Sequence, residues 1–243
     1  MTLLYQFPIS HYCEKARWAL DHKDIKYQVK NLLPGPHIKQ IKKIARSTEV
    51  PVLNTQGQCI QGSDNIIDYL DDKYPEKSLT PENDFLKKEA EDWETYANFN
   101  FGIPIRAIIY SHIIDQPEIL ISLWTRGGPW YGPLFYKLFF SKVQSAVREK
   151  MKLNDQYILE SKKRIEVSFS ELNKIVEGKT FLVGEHLSRA DIAMASLLAP
   201  IVLPEKSYIR DYLPYPDGVL EYREAFTDEP LFKWVENMYQ NHR

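Results

Sequence analysis

Ser10, His11, Tyr12 and Cys13 stand where a short β-prone run, Leu3–Phe7, gives way to a helical pattern. The first turn of a helix leaves backbone N–H groups without partners and carries about half a positive charge. An anion is favoured beside it, a thiolate above all, because a thiol that titrates near ~8.5 in water can be brought toward neutrality there. The spacing is that of C-x-x-C with serine in the first position. A dithiol–disulfide cycle needs both sulfurs and cannot run on this pair. A hydroxyl in the first position can instead donate a hydrogen bond to a sulfur brought from outside. Taken alone, Ser10 reads equally well as a helix cap and Cys13 as a small buried residue.

Two further clusters have chemical potential. Glu49-Val50-Pro51-Val52-Leu53 opens a short strand on an X-Pro bond, a candidate cis peptide. A cis bond would turn the Val50 backbone outward, where an extended ligand could pair with it as an added strand. Gly62-Ser63-Asp64 opens a helix, so its N–H groups and the Ser63 hydroxyl suit a carboxylate, and Asp64 suits an ammonium. In isolation each has a structural explanation, an edge-strand proline and a helix cap.

The elements that must position these groups follow from periodicity. Leu3–Phe7, Ile25–Val29, Val50–Asn54 and Gln58–Gln61 read as strands, the last two joined as a hairpin through Thr55-Gln56-Gly57. Glu14–His22 reads as a helix and His37–Ala45 as a weak one. Asp64–Lys73 is a third, with Ser63 its expected N-cap. The order is β-α-β-α-β-β-α over residues 1–74. A polar stretch with two prolines, 75–84, reads as a linker. Residues 85–243 show helical patterns: a long helix from Glu82 bent near Gly102 and Pro104, one over Asn154–Glu177 stopped by Gly178, one from Ser188 that is apolar nearly all round, and one over Pro230–Tyr239. Nothing regular is expected across the glycines and prolines of the aromatic run 124–140.

Composition narrows the function classes. Lys and Arg number 31 against 33 Asp and Glu, a net charge of −2, with no basic excess for nucleic acid. The longest apolar runs fall short of the ~20 residues of a membrane span, so no membrane partner is expected. Two cysteines are too few for a secreted disulfide framework and the start lacks a signal-peptide pattern, so the expected location is cytoplasmic. The six histidines and two cysteines show no metal-ligand spacing, and no metal is expected.

Jointly, the clusters resemble the cytosolic glutathione transferase superfamily. Ser10, Cys13, Lys15 and Arg17 fit its S-x-x-C-x-K-x-R start. Val50-Pro51-Val52-Leu53 is similar to its cis-proline segment, and Ser63, Ile66 and Tyr69-Leu70 fit its S-x-x-I-x-x-Y-L signature. Phe181-Leu182-Val183-Gly184 followed by Ser188-Arg189-Ala190-Asp191 looks like its capping box and buried helix. The resemblance implies a thioredoxin-like α/β domain followed by an all-α domain, usually in a homodimer. It implies glutathione as cosubstrate and a small hydrophobic electrophile as its partner. Ser10 would be the catalytic hydroxyl. Tyr12, Cys13, His37, Val50, Pro51, Ser63 and Asp64 would line the glutathione site, with His37 near the glycyl carboxylate. Two positions depart from the family pattern: Glu49, where a basic residue is common, and Gly62, where an acid or Gln is usual. Trp130 and Tyr131, in the aromatic run, are candidates for a wall of the electrophile site. Two other functions stay open: thiol transfer or peroxide reduction through Cys13, and a non-catalytic ligand-binding role.

Overall fold

The computed structural model describes residues 1–212 and 215–243, and these divide into two compact units. The first unit holds Met1–Lys77 and Ile113–Met151; the second holds Ser78–His112 and Lys152–Arg243.

In the first unit the chain runs β1 (Leu3–Gln6), α1 (His11–His22), β2 (Gln28–Asn31), α2 (His37–Ile41), β3 (Val52–Thr55), β4 (Gln58–Gln61) and α3 (Ser63–Lys73). The strands form one sheet in the order β2-β1-β3-β4. β1 is parallel to β2 and antiparallel to β3, which pairs with β4 as a hairpin. This is the thioredoxin-like arrangement. Alternation along β1 sends Leu4 and Gln6 to one face, where Gln6 meets Arg17 of α1. It sends Tyr5 to the other, against Leu32, Ile41 and Val52. β2 begins three residues later than the pattern predicts. The N–H of Ile25 bonds the carbonyl of Leu20, so Ile25 belongs to the turn leaving α1, and pairing starts only where Gln28 meets Leu3.

The aromatic run is more regular than the sequence suggests. Helix α6 (Pro117–Thr125) enters it and α7 (Gly132–Lys150) leaves it, so only residues 126–131 are irregular. Pro133 falls in the first turn of α7, where a missing N–H costs nothing, and the Gly-Pro pair starts a helix rather than breaking one. Trp124 and Tyr136 are buried with ring centroids 5.1 Å apart. The Tyr136 hydroxyl donates to the Pro34 carbonyl at 2.7 Å, and Asn31 Nδ2 donates to the Gly127 carbonyl at 2.8 Å. Gly132 passes close to Leu33: a Cβ there would stand 3.2 Å from its Cδ2. Through these contacts residues 113–151 group with the sheet, whereas the sequence places them within one helical half.

The second unit is helical: α4 (Asp84–Ala97), α5 (Ile103–Ile113), α8 (Asp155–Val176), α9 (Arg189–Val202), α10 (Asp217–Glu224) and α11 (Pro230–His242). The predicted bend is a π turn over Asn98–Gly102, with Pro104 tolerated in the first turn of α5. Every residue of α9 is buried. Its start is held by Asp191, which accepts from the N–H of Leu182 at 2.7 Å and from the N–H and hydroxyl of Ser188 at 2.8 Å each. Burial nevertheless pushes the Asp191 carboxyl up to about 6, against the pull of those hydrogen bonds.

Asn at position 191 would turn an NH2 group toward one of these N–H donors. Asp191→Asn should therefore cost about 1–3 kcal/mol at neutral pH, read as a lower urea midpoint. Because the folded pKa lies above the unfolded one, the contribution of Asp191 is largest below the unfolded pKa and falls as pH rises through about 6. The variant should show less of that fall than the native chain.

Candidate active site

Ser10 is the N-cap of α1, in extended conformation, and its Oγ accepts from the N–H of Cys13 at 3.3 Å. The residue is half-buried, and its side chain also hydrogen-bonds the Cys13 sulfur, which favours the charged form of that thiol. A hydroxyl placed at the mouth of the helix can serve a sulfur brought from outside in the same way. Cys13 is fully buried. Burial pushes its thiol up and outweighs the opposing Arg17 charge and the Ser10 hydrogen bond, so the group stays a thiol at neutral pH. Tyr12 is half-buried, its ring 4.7 Å from that of His11.

Two buried lysines hold α3 against α1. Lys15 pairs with Asp64 near the start of both helices, and Lys23 pairs with Asp71 at 2.8 Å near their ends. Lys15 and Lys23 are eight residues apart and Asp64 and Asp71 seven, about 12 and 10 Å of helix. The helices thus run in the same direction and present both N-termini at the same end. Ser63 donates to Asp64 Oδ1 at 3.2 Å, which fixes the carboxylate further, although Asp64 remains 47% exposed.

The Val50–Pro51 peptide is cis. The Pro51 carbonyl accepts from the N–H of Gly62 at 3.0 Å, which joins the proline to the start of α3. Gln61 secures the approach, donating to the carbonyls of Glu49 at 2.8 Å and Ser47 at 3.1 Å. Val50 itself keeps its N–H and C=O out of any hydrogen bond among the described residues, which leaves one strand-like pair of groups for an external partner. Ser63 is not the N-cap expected from the sequence. Gly62 is, at φ +95°, a conformation that side chains oppose, and this gives the departure from the acidic or Gln pattern a backbone reason. Ser63 becomes the first helical residue and is buried.

His37 lies at the start of α2, edge-on to Phe7 with centroids 4.8 Å apart, and its Nδ1 accepts from the N–H of Gly35 at 3.1 Å. Burial lowers its pKa, so it is neutral at neutral pH and brings no positive charge to a carboxylate. Trp130 is 89% exposed and sits edge-on to the half-buried Tyr131 at 6.1 Å.

The residues that sequence reasoning left without a role lie behind the helix. Arg17 is buried and donates to Glu14 at 2.8 Å and to Gln6 Oε1 at 2.5 Å. Gln6 then donates to Asn31 at 2.9 Å, and Asn31 to the Gly127 carbonyl. Arginine only donates, so each amide in this chain has its orientation set by the one before it. The available signal was two cations, Lys15 and Arg17, interleaved with the apolar Cys13, Ala16, Trp18, Ala19 and Leu20 of one helix.

Residues 4–78 match the family described as "Glutathione S-transferase, N-terminal domain" and residues 135–209 match "Glutathione S-transferase, C-terminal domain". The chain is 24% identical to glutathione S-transferase TCHQD of Arabidopsis thaliana, over 98% of this chain and 90% of the relative. The solved structure of beta-etherase LigF from Sphingobium resembles it with a TM-score of 0.64 at 19% identity, covering 96% of this chain and 98% of that one. A glutathione S-transferase from Methylobacterium radiotolerans, solved in complex with glutathione sulfonate, gives a TM-score of 0.59 at 16% identity, over 96% and 92% of the two chains. Both structural likenesses concern the fold. With its two halves matched in order over more than half of its length, the chain belongs to the cytosolic glutathione transferase superfamily.

Proposed function

We propose that this protein is a glutathione transferase in which the N-terminus of α1 and the Ser10 hydroxyl hold the glutathione sulfur as a thiolate for attack on a hydrophobic electrophile. The observation that carries this reading is the half-buried Ser10 hydroxyl at the N-cap of α1, beside the free N–H groups of the first turn. Glutathione supplies the nucleophilic sulfur. The chain's part is to favour loss of the thiol proton to solvent: the helix end adds about half a positive charge and the hydroxyl adds one hydrogen bond to the anion. The unpaired Val50 backbone suits the cysteinyl amide of an extended tripeptide. The N-terminus of α3 suits the γ-glutamyl carboxylate, and Asp64 suits its ammonium. The electrophile then gains a carbon–sulfur bond, with a leaving group departing in a substitution or a proton taken up in an addition.

Thiol transfer through Cys13 is the second reading, and the burial of that side chain weighs against it. Its sulfur is fully enclosed and its thiol pKa is raised, the reverse of what a reactive cysteine needs.

Ser10→Ala should lower kcat/KM for a generic aryl halide at least tenfold, a loss of about 1.4 kcal/mol or more of transition-state stabilisation, while glutathione Kd changes little. Full activity in the variant would move the activation elsewhere. A disulfide reagent of the aryl type should modify one thiol in the native protein, the exposed Cys59, and reach Cys13 only on unfolding. Rapid modification of Cys13 in the native protein, or a glutathione adduct on it, would favour the second reading.

A further inference from the structure

The loop before α7 and the first half of that helix carry an apolar stripe that the fold does not use. Leu134 and Leu138 are 58% and 69% exposed, and their spacing of four sets them along one side of the helix, while Trp130, in the loop just before its first turn, is 89% exposed. The opposite side, Gly132, Tyr136 and Val143, is buried. Two lysines border the stripe: Lys137 lies about 100° to one side of Leu138 and Lys142 about 40° to the other. From Arg126 to Lys142 the chain has three cations, Arg126, Lys137 and Lys142, and no acid, although its net charge is −2. Large exposed apolar groups concentrated in one place mark an interaction surface.

We infer that this stripe docks on an anionic lipid surface, with Trp130, Leu134 and Leu138 at the boundary between headgroups and acyl chains and Lys137 and Lys142 against the phosphates. An interfacial helix has this composition, with Trp and Leu on one face and Lys beside them. Charge decides between this occupant and a second copy of the chain. A two-fold contact apposes the same patch on both subunits, so Lys137 and Lys142 would meet their own copies across a stretch that offers no acid. A negative surface satisfies both lysines at once. No helix among the described residues is long and apolar enough to cross a membrane, so the contact is peripheral. The absence of a ~20-residue apolar run excludes a span and does not bear on surface docking. The 89% exposure of Trp130 fits this outward role better than the electrophile wall expected from sequence.

The test is sedimentation of the full-length protein with vesicles of phosphatidylcholine alone and of phosphatidylcholine with phosphatidylglycerol. Binding should be at least tenfold tighter to the anionic vesicles and should weaken as salt is raised. Joint replacement Trp130→Ser, Leu134→Ser and Leu138→Ser should weaken it at least tenfold, with an unchanged urea midpoint showing that the fold is intact. Lys137→Gln with Lys142→Gln should remove the preference for anionic vesicles while leaving the apolar stripe. The proposal is overturned if the native protein binds neither vesicle, or binds equally with and without the stripe. It is also overturned if the serine substitutions dissolve an oligomer in sedimentation velocity without affecting vesicle binding, since a second copy then covers the stripe.

Discussion

Two buried lysines on one helix organise the site. Lys15 lies in α1 and Lys23 caps its end, both with their ammonium groups enclosed, and an unpaired charge in such a place costs several kcal/mol. Each finds its carboxylate on α3. Because the seven-residue spacing of Asp64 and Asp71 comes close to the eight-residue spacing of the lysines, the second helix lies alongside the first in the same direction. Two positive helix ends then face the same way. The proposed ligand, with a thiolate at one point and a carboxylate at another, would meet both without any added cation. Removing either aspartate would take the carboxylate from a buried ammonium, so the helix alignment and the proposed anion preference rest on the same contacts.

Arg17 carries the constraint outward. Its guanidinium fixes Gln6, Gln6 fixes Asn31, and Asn31 holds the carbonyl of Gly127. One buried charge thus reaches from the first helix through two strands to the loop joining α6 and α7. The links weaken outward: the buried guanidinium bond to Gln6 has a charged donor and is worth about 1.5–3 kcal/mol, whereas the exposed bond from Asn31 to Gly127 is worth about 1 kcal/mol or less. Together with the Tyr136 hydroxyl on Pro34, this chain explains why the segment 113–151 groups with the sheet although its regular structure is helical.

The β-α-β-α-β-β-α order was legible because each element alternates or repeats with its own period and turn residues separate them. Ser188 and Asp191 were legible because a capping box is a local signal. Other features are not local. Ser63 looks like a cap by type, and only the left-handed backbone of Gly62 and its bond to Pro51 show that the helix starts one residue earlier. Helix α7 hides behind its glycines and proline, because a proline that breaks a helix interior is welcome in a first turn. The roles of Lys15 and Arg17 were unreadable for another reason: charged residues in a helix ordinarily mark its wet face, and their burial depends on partners 49 and 11 residues distant in sequence.

At the centre of this account is the claim that the mouth of α1 stabilises a bound thiolate. Titrating the ultraviolet absorbance of thiolate in the glutathione complex, with both cysteines left in place and the ligand-free protein subtracted, measures that claim directly. The account predicts that the bound thiol ionises at least one pH unit below the ~8.5 of a free thiol, and that Ser10→Ala moves it back up. A bound thiol that titrates like the free one, in the native protein and the variant alike, would contradict it.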